Sequence, residues 1–287
     1  MRTTLYQLTE TSEFMMSFVI VTKKNRCIVI DGGRPLDMPL LKETVAGRKI
    51  AAWFLTHPHG DHVSGFIDEF EKNGGADFDI EKIIYNFPKY SELEKNIDKA
   101  PWREYFIKEM NSIIPSFERI EGQFGERGYI AKQGEVFDID ECRVEILYTH
   151  HDGLLANPMN DSSMVFRITG EEKSVLFLGD LGPDGGDILY DESRDKLKSD
   201  IVQMAHHGHM NVGMEVYAAI EPKACLWCCA DWLYNEPEIP HYLQNREFLR
   251  SVGRGRMYGT TLTRKWMDIL GTKEHFVTKD GTNKLFI

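Results

Sequence analysis

The chain has 287 residues, of which 42% are hydrophobic and 28% are charged, the balance of a folded globular protein rather than of a disordered chain. Its formal net charge of −11 at pH 7 excludes a protein whose main partner is long duplex nucleic acid, because that binding depends on cationic side chains that displace counterions from phosphates. A small-molecule or short oligonucleotide substrate remains compatible with this charge. We predict a single domain over residues 1–287.

The N-terminal residues 1–10 lack the apolar core of a signal peptide, and no apolar run approaches the ~20 residues that span a bilayer. The cysteines are odd in number, and Cys225, Cys228 and Cys229 are crowded together, which fits a reducing compartment better than a disulfide framework. We therefore expect a cytoplasmic protein without a membrane partner. A homodimer is compatible with the composition.

In chain order, apolar runs predict strands over residues 4–8, 14–23 and 27–33, with the last two joined as a hairpin by the turn at Lys24-Asn25. The third strand ends in Asp31-Gly32-Gly33, which on its own is typical of a strand-ending turn. A short helix is predicted next, over residues 39–46.

The following strand-to-helix turn is rich in metal-ligand side chains. An apolar run over residues 50–56 predicts a buried strand, and apolar residues at helical spacing predict a helix over residues 63–72. Between them stand four ligand-type side chains, His57, His59, Asp61 and His62. Imidazole and carboxylate suit zinc, iron or manganese, and the flexible Gly60 lets the two halves of the turn aim at neighbouring points. The alternative, a chance surface run of histidines, does not explain the adjoining apolar strand, so a two-metal site is predicted.

The next segment predicts a strand over residues 80–86 and a long helix or helix pair over residues 91–114, within a helical insertion around residues 87–127. Aromatic residues along one side of this segment are typical of core packing. An insertion at this place would also suit the wall of a substrate pocket.

Two later strand ends carry ligand-type residues. After a strand pair that stops at His150-His151, an apolar strand over residues 174–180 ends in Gly179-Asp180. That carboxylate would lie at the same sheet edge as the first histidines and can bridge two metals, whereas a simple turn is the alternative. The strand over residues 200–205 ends in His206-His207-Gly208-His209.

The order Thr-His-x-His-x-Asp-His after an apolar strand, then Leu-Gly-Asp and His-His-Gly, resembles the signature of the metallo-β-lactamase superfamily. Together with the succession of strands and helices in both halves, the resemblance implies an α/β fold, a four-layer αββα sandwich of two mixed β-sheets packed face to face with helices outside. It also implies that Asp31 lies under the metal site and orients a ligand histidine. The family's last histidine is commonly followed by glycine, which favours His207 as a ligand. His206 is then its neighbour or substitute, and His209 a solvated loop residue.

The resemblance leaves one ligand open. Between the first histidines and Asp180, many family members have a metal-binding histidine in a Gly-rich loop. In this chain the corresponding loop, before a predicted strand over residues 164–169, has Asn160 and Asp161. The alternatives are His150 or His151 from the preceding strand end, Asp161 or Asn160 by position, or water alone, since catalytic zinc sites tolerate a missing protein ligand. If Asn160 is not a ligand, we expect it to support one.

The motif order Asn-Asp-x-Ser, Leu-Gly-Asp and His-His-Gly, with a later Pro-His pair, resembles the branch that contains the hydrolase domain of competence (ComEC-like) proteins and related phosphodiesterases. This makes His241 a candidate catalytic residue, although Pro240 and His241 also fit a plain helix start. Within a basic C-terminal stretch, Arg264 and Lys265 are candidates to bind a substrate phosphate, with a solvated surface as the alternative. The remaining predicted elements are helices over residues 187–197, 215–220 and 242–252, a strand over residues 223–230 and a terminal strand pair from residue 257.

The predicted cofactor is a pair of divalent metal ions, zinc first and manganese or iron as alternatives. With Asp61 and Asp180 as catalytic carboxylates, two cations would lower the pKa of a bridging water from about 15.7 toward 7, and the hydroxide would attack a carbonyl or phosphorus centre. The branch resemblance, together with the basic stretch from Arg246 to Lys265, implies a metal-dependent phosphodiesterase or nuclease for short or small substrates. A carbonyl-ester hydrolase, such as a lactonase or thioesterase, and a non-catalytic binding or regulatory module are the rival hypotheses.

Overall fold

The computed structural model describes residues 2–97, 103–151, 157–239 and 258–287. The strands are β1 (Thr4–Gln7), β2 (Ser17–Val21), β3 (Cys27–Asp31), β4 (Ile50–Phe54), β5 (Ile83–Tyr85), β6 (Gly128–Ile130), β7 (Val136–Ile139), β8 (Cys142–Tyr148), β9 (Val165–Thr169), β10 (Ser174–Phe177), β11 (Ile201–Gln203), β12 (Ala224–Trp227), β13 (Glu274–Val277) and β14 (Asn283–Phe286). The α-helices are α1 (Met38–Val45), α2 (Gly60–Asn73), α3 (Tyr90–Ile97), α4 (Arg103–Glu121), α5 (Pro183–Ser193), α6 (Met214–Ile220), α7 (Asp231–Tyr234) and α8 (Thr260–Leu270). These strands form two seven-stranded mixed sheets.

Each sheet has an antiparallel half and a parallel half. In the first sheet the order is β14-β1-β2-β3-β4-β5-β6, with β3 to β6 parallel. In the second it is β13-β12-β11-β10-β9-β8-β7, with β10 to β13 parallel. Within each sheet the parallel strands end at a common edge. The end of β4 adjoins the second sheet, where the N–H of Met164 donates to the carbonyl oxygen of Thr56 at 2.9 Å, so the segments after β4, β10 and β11 emerge close together.

Apolar side chains fill three layers and confirm the predicted four-layer αββα sandwich. Between the sheets, Phe54 stacks on Phe166 with ring centroids 5.0 Å apart, and Phe18 meets Phe177 at 5.1 Å. Helices α1, α2 and α4 cover the outer face of the first sheet, and α5, α6 and α8 cover that of the second. Strands β2 to β5 are buried on both faces, which explains why their sequences are continuous apolar runs.

The predicted hairpin is confirmed by the antiparallel pairing of β2 with β3. Helix α2 begins at Gly60, earlier than predicted, so Asp61 and His62 stand in its first turn. The apolar spacing starts only at Val63 because the polar residues Asp61 and His62 occupy that turn. Helix α5 also begins earlier than predicted, at Pro183, a residue type suited to the first helical position.

The C-terminal prediction of a strand pair from residue 257 is wrong. Helix α8 comes first, with Thr260, Thr263 and Met267 buried on one face at helical spacing and a left-handed Gly271 after its end. The two strands that follow pair with different sheets, β13 with β12 and β14 with β1. The predicted helix over residues 242–252 lies outside the described residues.

The predicted helical insertion corresponds to α3 and α4. Helix α4 carries Phe117 and Ile120 into the layer that covers the first sheet. Among the helices of the described ranges, none combines the length and the apolarity that crossing a bilayer requires.

Candidate metal centre

Asp31 anchors the first side of the centre. It is fully buried at the end of β3, and its two carboxylate oxygens accept hydrogen bonds from the backbone N–H and the hydroxyl of Thr56, both at 2.7 Å. Its Oδ2 also lies 2.7 Å from Nδ1 of His62. Burial raises the pKa of Asp31, while these three partners act in the opposite direction. The carboxyl group therefore joins the end of β3, the end of β4 and the first turn of α2.

Three imidazoles are oriented in the same way, through Nδ1. His57 Nδ1 lies 3.1 Å from the hydroxyl of Thr56, and His62 Nδ1 is held by Asp31. His207 Nδ1 lies 2.6 Å from the backbone carbonyl oxygen of Cys228. Such partners fix the ring and its tautomer, and they leave Nε2 of each histidine facing the centre.

Two groups of donor atoms share one carboxylate, and within each group the atoms lie within 4.8 Å of one another. The groups are His57, His59 and Asp180 on one side and Asp61, His62, Asp180 and His207 on the other. Nε2 of His57 is 3.1 Å from Nδ1 of His59 and 3.6 Å from Oδ2 of Asp180. Nε2 of His207 is 3.0 Å from Oδ2 of Asp61 and 3.4 Å from Oδ2 of Asp180. A carboxylate that belongs to both groups is suited to bridge two metal ions.

Unusual backbone conformations at the ends of β10 and β11 bring Asp180 and His207 to the donor groups. Gly179 has φ +56°, and a Cβ on it would lie 2.8 Å from the hydroxyl oxygen of Ser163, which accepts the N–H of Asp180 at 2.9 Å. His206 and His207 have φ values of 48° and 55°, which non-glycine residues rarely adopt. Strained backbone of this kind persists only where the surroundings hold it, and it is common at functional sites.

Burial lowers the pKa of His57 well below its usual value and lowers that of His59 as well. Both rings are therefore neutral and offer nitrogen lone pairs. Burial acts the same way on His62 and His207, but the carboxylates of Asp180 and Asp61 outweigh it. The pKa of His62 is well above its usual value, and that of His207 is raised to about 9.

The donor set fits divalent cations. Burial alone would raise the pKa of Asp61 and Asp180, yet the positive charge on His62 and His207 holds both below their usual range. The two ionised carboxylates, Asp61 and Asp180, are therefore stabilised by nearby positive charge. Protonated imidazoles provide some of this charge, and divalent metal ions would provide more. Oδ1 of Asp180 is buried and has no hydrogen-bond partner among the described residues, although Nε2 of His62 lies 3.2 Å away. An oxygen in this state is a free ligand atom.

His150 and His151, one of the alternatives for the remaining ligand, lie outside both donor groups. Nε2 of His150 is 3.9 Å from the carboxylate of Glu92 on α3, and Nε2 of His151 is 3.8 Å from that of Glu192 on α5. The ring of His151 also stacks on Tyr148, with centroids 5.2 Å apart. The end of β8 therefore directs both imidazoles toward helices rather than toward the sheet edge.

Asp161 is also placed away from the donors. Its Oδ1 accepts the backbone N–H of Gly185 at 3.1 Å, in the first turn of α5, where partial positive charge favours a carboxylate. Burial nevertheless raises its pKa to about 7. Its neighbour Asn160 lines the cavity beside the centre: Nδ2 lies 3.0 Å from Nε2 of His206, and Oδ1 is buried without a partner in the described ranges. The supporting role of Asn160 stays a prediction.

His206 and His209 stand at the wall of the centre. His206 contacts Asn160 and the carbonyl oxygen of Met210, and it belongs to neither donor group. His209 was expected to be a solvated loop residue, but its ring is largely buried and Nδ1 lies 3.1 Å from Oε2 of the buried Glu236. No local pattern signals this pair, because the two residues are distant in sequence.

The predicted phosphate-binding residues have other partners. The guanidinium of Arg264 lies over the ring of Tyr234, 4.2 Å from its centroid, and donates to the carbonyl oxygen of Tyr234 at 3.3 Å. Lys265 forms an ion pair with Glu238. Both side chains are thus engaged on α8 and its neighbours rather than at the metal centre. His241 lies outside the described residues.

A cavity of about 340 Å³ opens over the donors. His59, Asp61 and Asp180 form part of its floor. Its remaining walls combine apolar and charged side chains, among them Phe14, Arg34, Phe106, Glu109, His209 and Met210. Phe106 and Glu109 come from α4, so the predicted insertion does contribute to the wall. A cavity of this size is within the range that small-molecule sites occupy.

The fold and the centre define a class: an αββα sandwich that gathers imidazole and carboxylate donors into two adjoining groups at the strand ends of its two sheets. The family model of the metallo-β-lactamase superfamily matches residues 14–215. The chain belongs to this superfamily. The narrower resemblance to the branch with competence proteins stays a prediction.

Two solved structures illustrate the shared fold. The metallo-β-lactamase fold protein YhfI from Bacillus subtilis is 12% identical with a TM-score of 0.53, and the match covers 99% of this chain and 100% of that one. CmlA, a diiron β-hydroxylase from Streptomyces venezuelae, is 11% identical with a TM-score of 0.53, and the match covers 100% of this chain. The chain spans about half of CmlA, 54% of its length. No curated protein matches the sequence.

Proposed function

We propose that the protein is a metal-dependent hydrolase that uses two divalent cations on a small substrate. The observation that carries the proposal is the position of Asp180 in both donor groups, at the floor of a cavity. The superfamily's fold supports the class of activity, and the cavity supports the size of the substrate. A binding or regulatory module would not need two such groups side by side.

The residues that would hold one cation are His57, His59 and Asp180, and those for the other are Asp61, His62, Asp180 and His207. Cations bound there supply Lewis acidity and lower the pKa of a coordinated water. Neutral imidazole with carboxylate suits zinc, and manganese or iron also accept this donor set. All the described cysteines are buried, and none joins the donors. Zinc remains our first proposal.

The chain's own residues orient and enclose the reaction. Asp31 holds His62, and the carbonyl oxygen of Cys228 holds His207, so both rings keep Nε2 toward the centre. Phe14 and Met210 line the cavity with apolar surface, which excludes water from the reacting bond. Asn160 and His206 form a polar contact on the wall, and the Oδ1 of Asn160, which has no partner among the described residues, can accept a hydrogen bond from a bound molecule.

The charge of the described part of the cavity wall favours a carbonyl ester over a phosphodiester. Of the basic C-terminal stretch that suggested phosphate binding, Arg264 and Lys265 are engaged elsewhere. Its other members, Arg246, Arg250, Arg254 and Arg256, lie outside the described residues. Among the described lining residues Arg34 is the single lysine or arginine, and Glu109 adds negative charge. A lactonase or thioesterase needs less cationic surface than a nuclease does. A phosphodiesterase of the ComEC-like branch remains the second candidate, supported by the order of the motifs from Asn160 to Gly208.

A substrate panel on zinc-, manganese- and iron-loaded protein tests the proposal. It consists of a lactone, a thioester, a bis-aryl phosphate and a single-stranded oligonucleotide, each assayed with the wild type and with Asp180→Asn. We expect turnover of a carbonyl substrate that Asp180→Asn abolishes, because the amide removes the charge shared by the two groups. Asp138→Asn makes the same change at an exposed site on β7 and serves as the matched control.

Turnover confined to the phosphate substrates would instead support the second candidate. Absence of turnover across the panel with fully metal-loaded protein would contradict the hydrolase proposal.

A further inference from the structure

Arg34 lies in a loop that is hydrogen-bonded to α2, the helix that carries Asp61 and His62. The backbone N–H groups of Gly32 and Gly33 donate to the carbonyl oxygen of His62 at 2.8 and 3.1 Å. In return, the N–H of Gly65 donates to the carbonyl oxygen of Gly33 at 2.9 Å. Arg34 follows directly, so its backbone keeps a fixed position relative to the first turn of α2.

Close packing and a carboxylate hold the loop on its other sides. A Cβ on Gly65 would lie 2.9 Å from the carbonyl oxygen of Arg34, so α2 and the loop are in direct backbone contact. The side chain of Asp37 accepts the N–H of Arg34 at 2.9 Å and the N–H of Thr11 at 2.8 Å. A side chain mounted on such a base is well placed to recognise one part of a ligand while another part reaches the centre.

The guanidinium of Arg34 keeps donor capacity at the cavity wall. Its Nε is buried and has no hydrogen-bond partner within the described ranges. The carboxylate of Glu13, 68% exposed, lies 3.6 Å from Nη2, and the ring centroid of Phe14 lies 5.9 Å from Cζ. An exposed ion pair at that distance adds little. A buried N–H of a charged group without a partner costs free energy, and a bound oxyanion would remove that cost.

We propose that Arg34 selects small substrates that carry one oxyanion group, a carboxylate or a phosphate, at some distance from the bond that is hydrolysed. A guanidinium offers parallel N–H donors that match both groups. The apolar part of the substrate would lie against Phe14, Phe106 and Met210. A second anionic group would find no further lysine or arginine among the described lining residues and would meet Glu109.

The proposal rests on the proposed function for the place of the reacting bond, but the anion site itself is testable by binding alone. Phenylacetate and phenyl phosphate are the anionic probes, and phenylacetamide is the neutral one, each titrated calorimetrically into metal-loaded protein. Metal ions also attract anions, so the comparison is between variants with equal metal content. Arg34→Met removes the charge with little loss of volume, and Arg34→Lys keeps the charge but lacks the parallel N–H donors of the guanidinium. Arg143→Met makes the same change at an exposed site on β8 and serves as the control.

We expect Arg34→Met to lower the affinity for at least one anionic probe by about tenfold or more and to leave the affinity for the neutral probe unchanged. A tenfold loss corresponds to about 1.4 kcal/mol for the lost charge-assisted contact. Arg34→Lys should recover part of the loss, and Arg143→Met should show none. The probe that responds identifies carboxylate or phosphate as the matching group. Equal binding of both anions by wild type and Arg34→Met, at equal metal content, would overturn the proposal.

The binding result also separates this proposal from the proposed function. Selective anion binding in a protein that turns over no panel substrate would refute the hydrolase and leave the anion site standing. Turnover with a KM that is indifferent to Arg34→Met, for carboxylated and uncharged versions of one thioester, would refute the anion site and leave the hydrolase standing.

Discussion

Asp31→Asn tests how the chain orients His62, a candidate metal ligand. The carboxylate accepts three contacts of 2.7 Å, two from Thr56 and one at Nδ1 of His62. The amide can still accept the N–H of Thr56 through its oxygen, but its NH₂ then faces His62. That favours the tautomer of His62 with Nδ1 unprotonated and Nε2 carrying the proton, which removes the lone pair from the centre.

The expected magnitude follows from these contacts. Loss of one charge-assisted hydrogen bond to a buried group lowers the free energy of unfolding of the metal-free protein by about 1.5–3 kcal/mol. Mutation of such an orienting partner lowers metal affinity by about 10–100-fold. The loss should fall mainly on the group of Asp61, His62, Asp180 and His207, because the His57 group keeps both its imidazoles.

Urea denaturation of metal-free protein measures the first quantity, and a chelator titration that resolves the two metals measures the second. Asp138→Asn is the control for a carboxylate-to-amide change. Unchanged affinity at both metals would refute the orienting role of Asp31. Equal loss at both metals would refute its assignment to one donor group.

Two further predictions concern stability. Gly179→Ala should lower the free energy of unfolding by about 1–3 kcal/mol in urea denaturation, because alanine at φ +56° is strained and its Cβ would meet Ser163. The same strain should weaken metal binding, so metal binding equal to that of the wild type would contradict this prediction. Hydrogen bonds from Arg26 lower the pKa of Asp140 to about 2 against the effect of burial, so its stabilisation is present above an unfolded-state pKa of about 3.9 and is lost as pH falls through about 2. Asp140→Asn should therefore cost about 1–2 kcal/mol at neutral pH, with a gap to wild type that narrows below about pH 4 in denaturant titrations; a constant gap would contradict the linkage.

The sequence predicts the sandwich well because local signals and tertiary packing agree in its centre. Strands β2 to β5 are continuous apolar runs, and burial on both faces requires that pattern. The region from Thr260 is different: its buried residues are mostly threonines, so apolar periodicity gives little sign of α8. The two strands after it belong to different sheets, and such long-range pairing has no local signature.

The candidate site shows the same division. His57, His59, Asp61 and His62 are close in sequence and follow β4 of the first sheet, whereas Asp180 and His207 follow β10 and β11 of the second. The donors therefore meet between the strand ends of two sheets, and the prediction of one common sheet edge is wrong. His150 and His151 also follow a strand, yet Glu92 and Glu192 give them other contacts.

Arg34 and His209 line the cavity, and Glu236 contacts His209 from a segment that is distant in sequence. Neither belongs to a motif with a recognisable spacing. Packing places both, and a single sequence does not encode that placement in any local pattern.

The proposed function requires that Asp180 contributes to two metal sites at once. Titration of metal-free protein with Zn²⁺, followed by mass spectrometry under native conditions, measures the number of metals per chain. We predict two for the wild type and for Asp138→Asn, and fewer than two for Asp180→Asn. Two tightly bound zinc ions in Asp180→Asn, or a wild type that binds none, would contradict the claim.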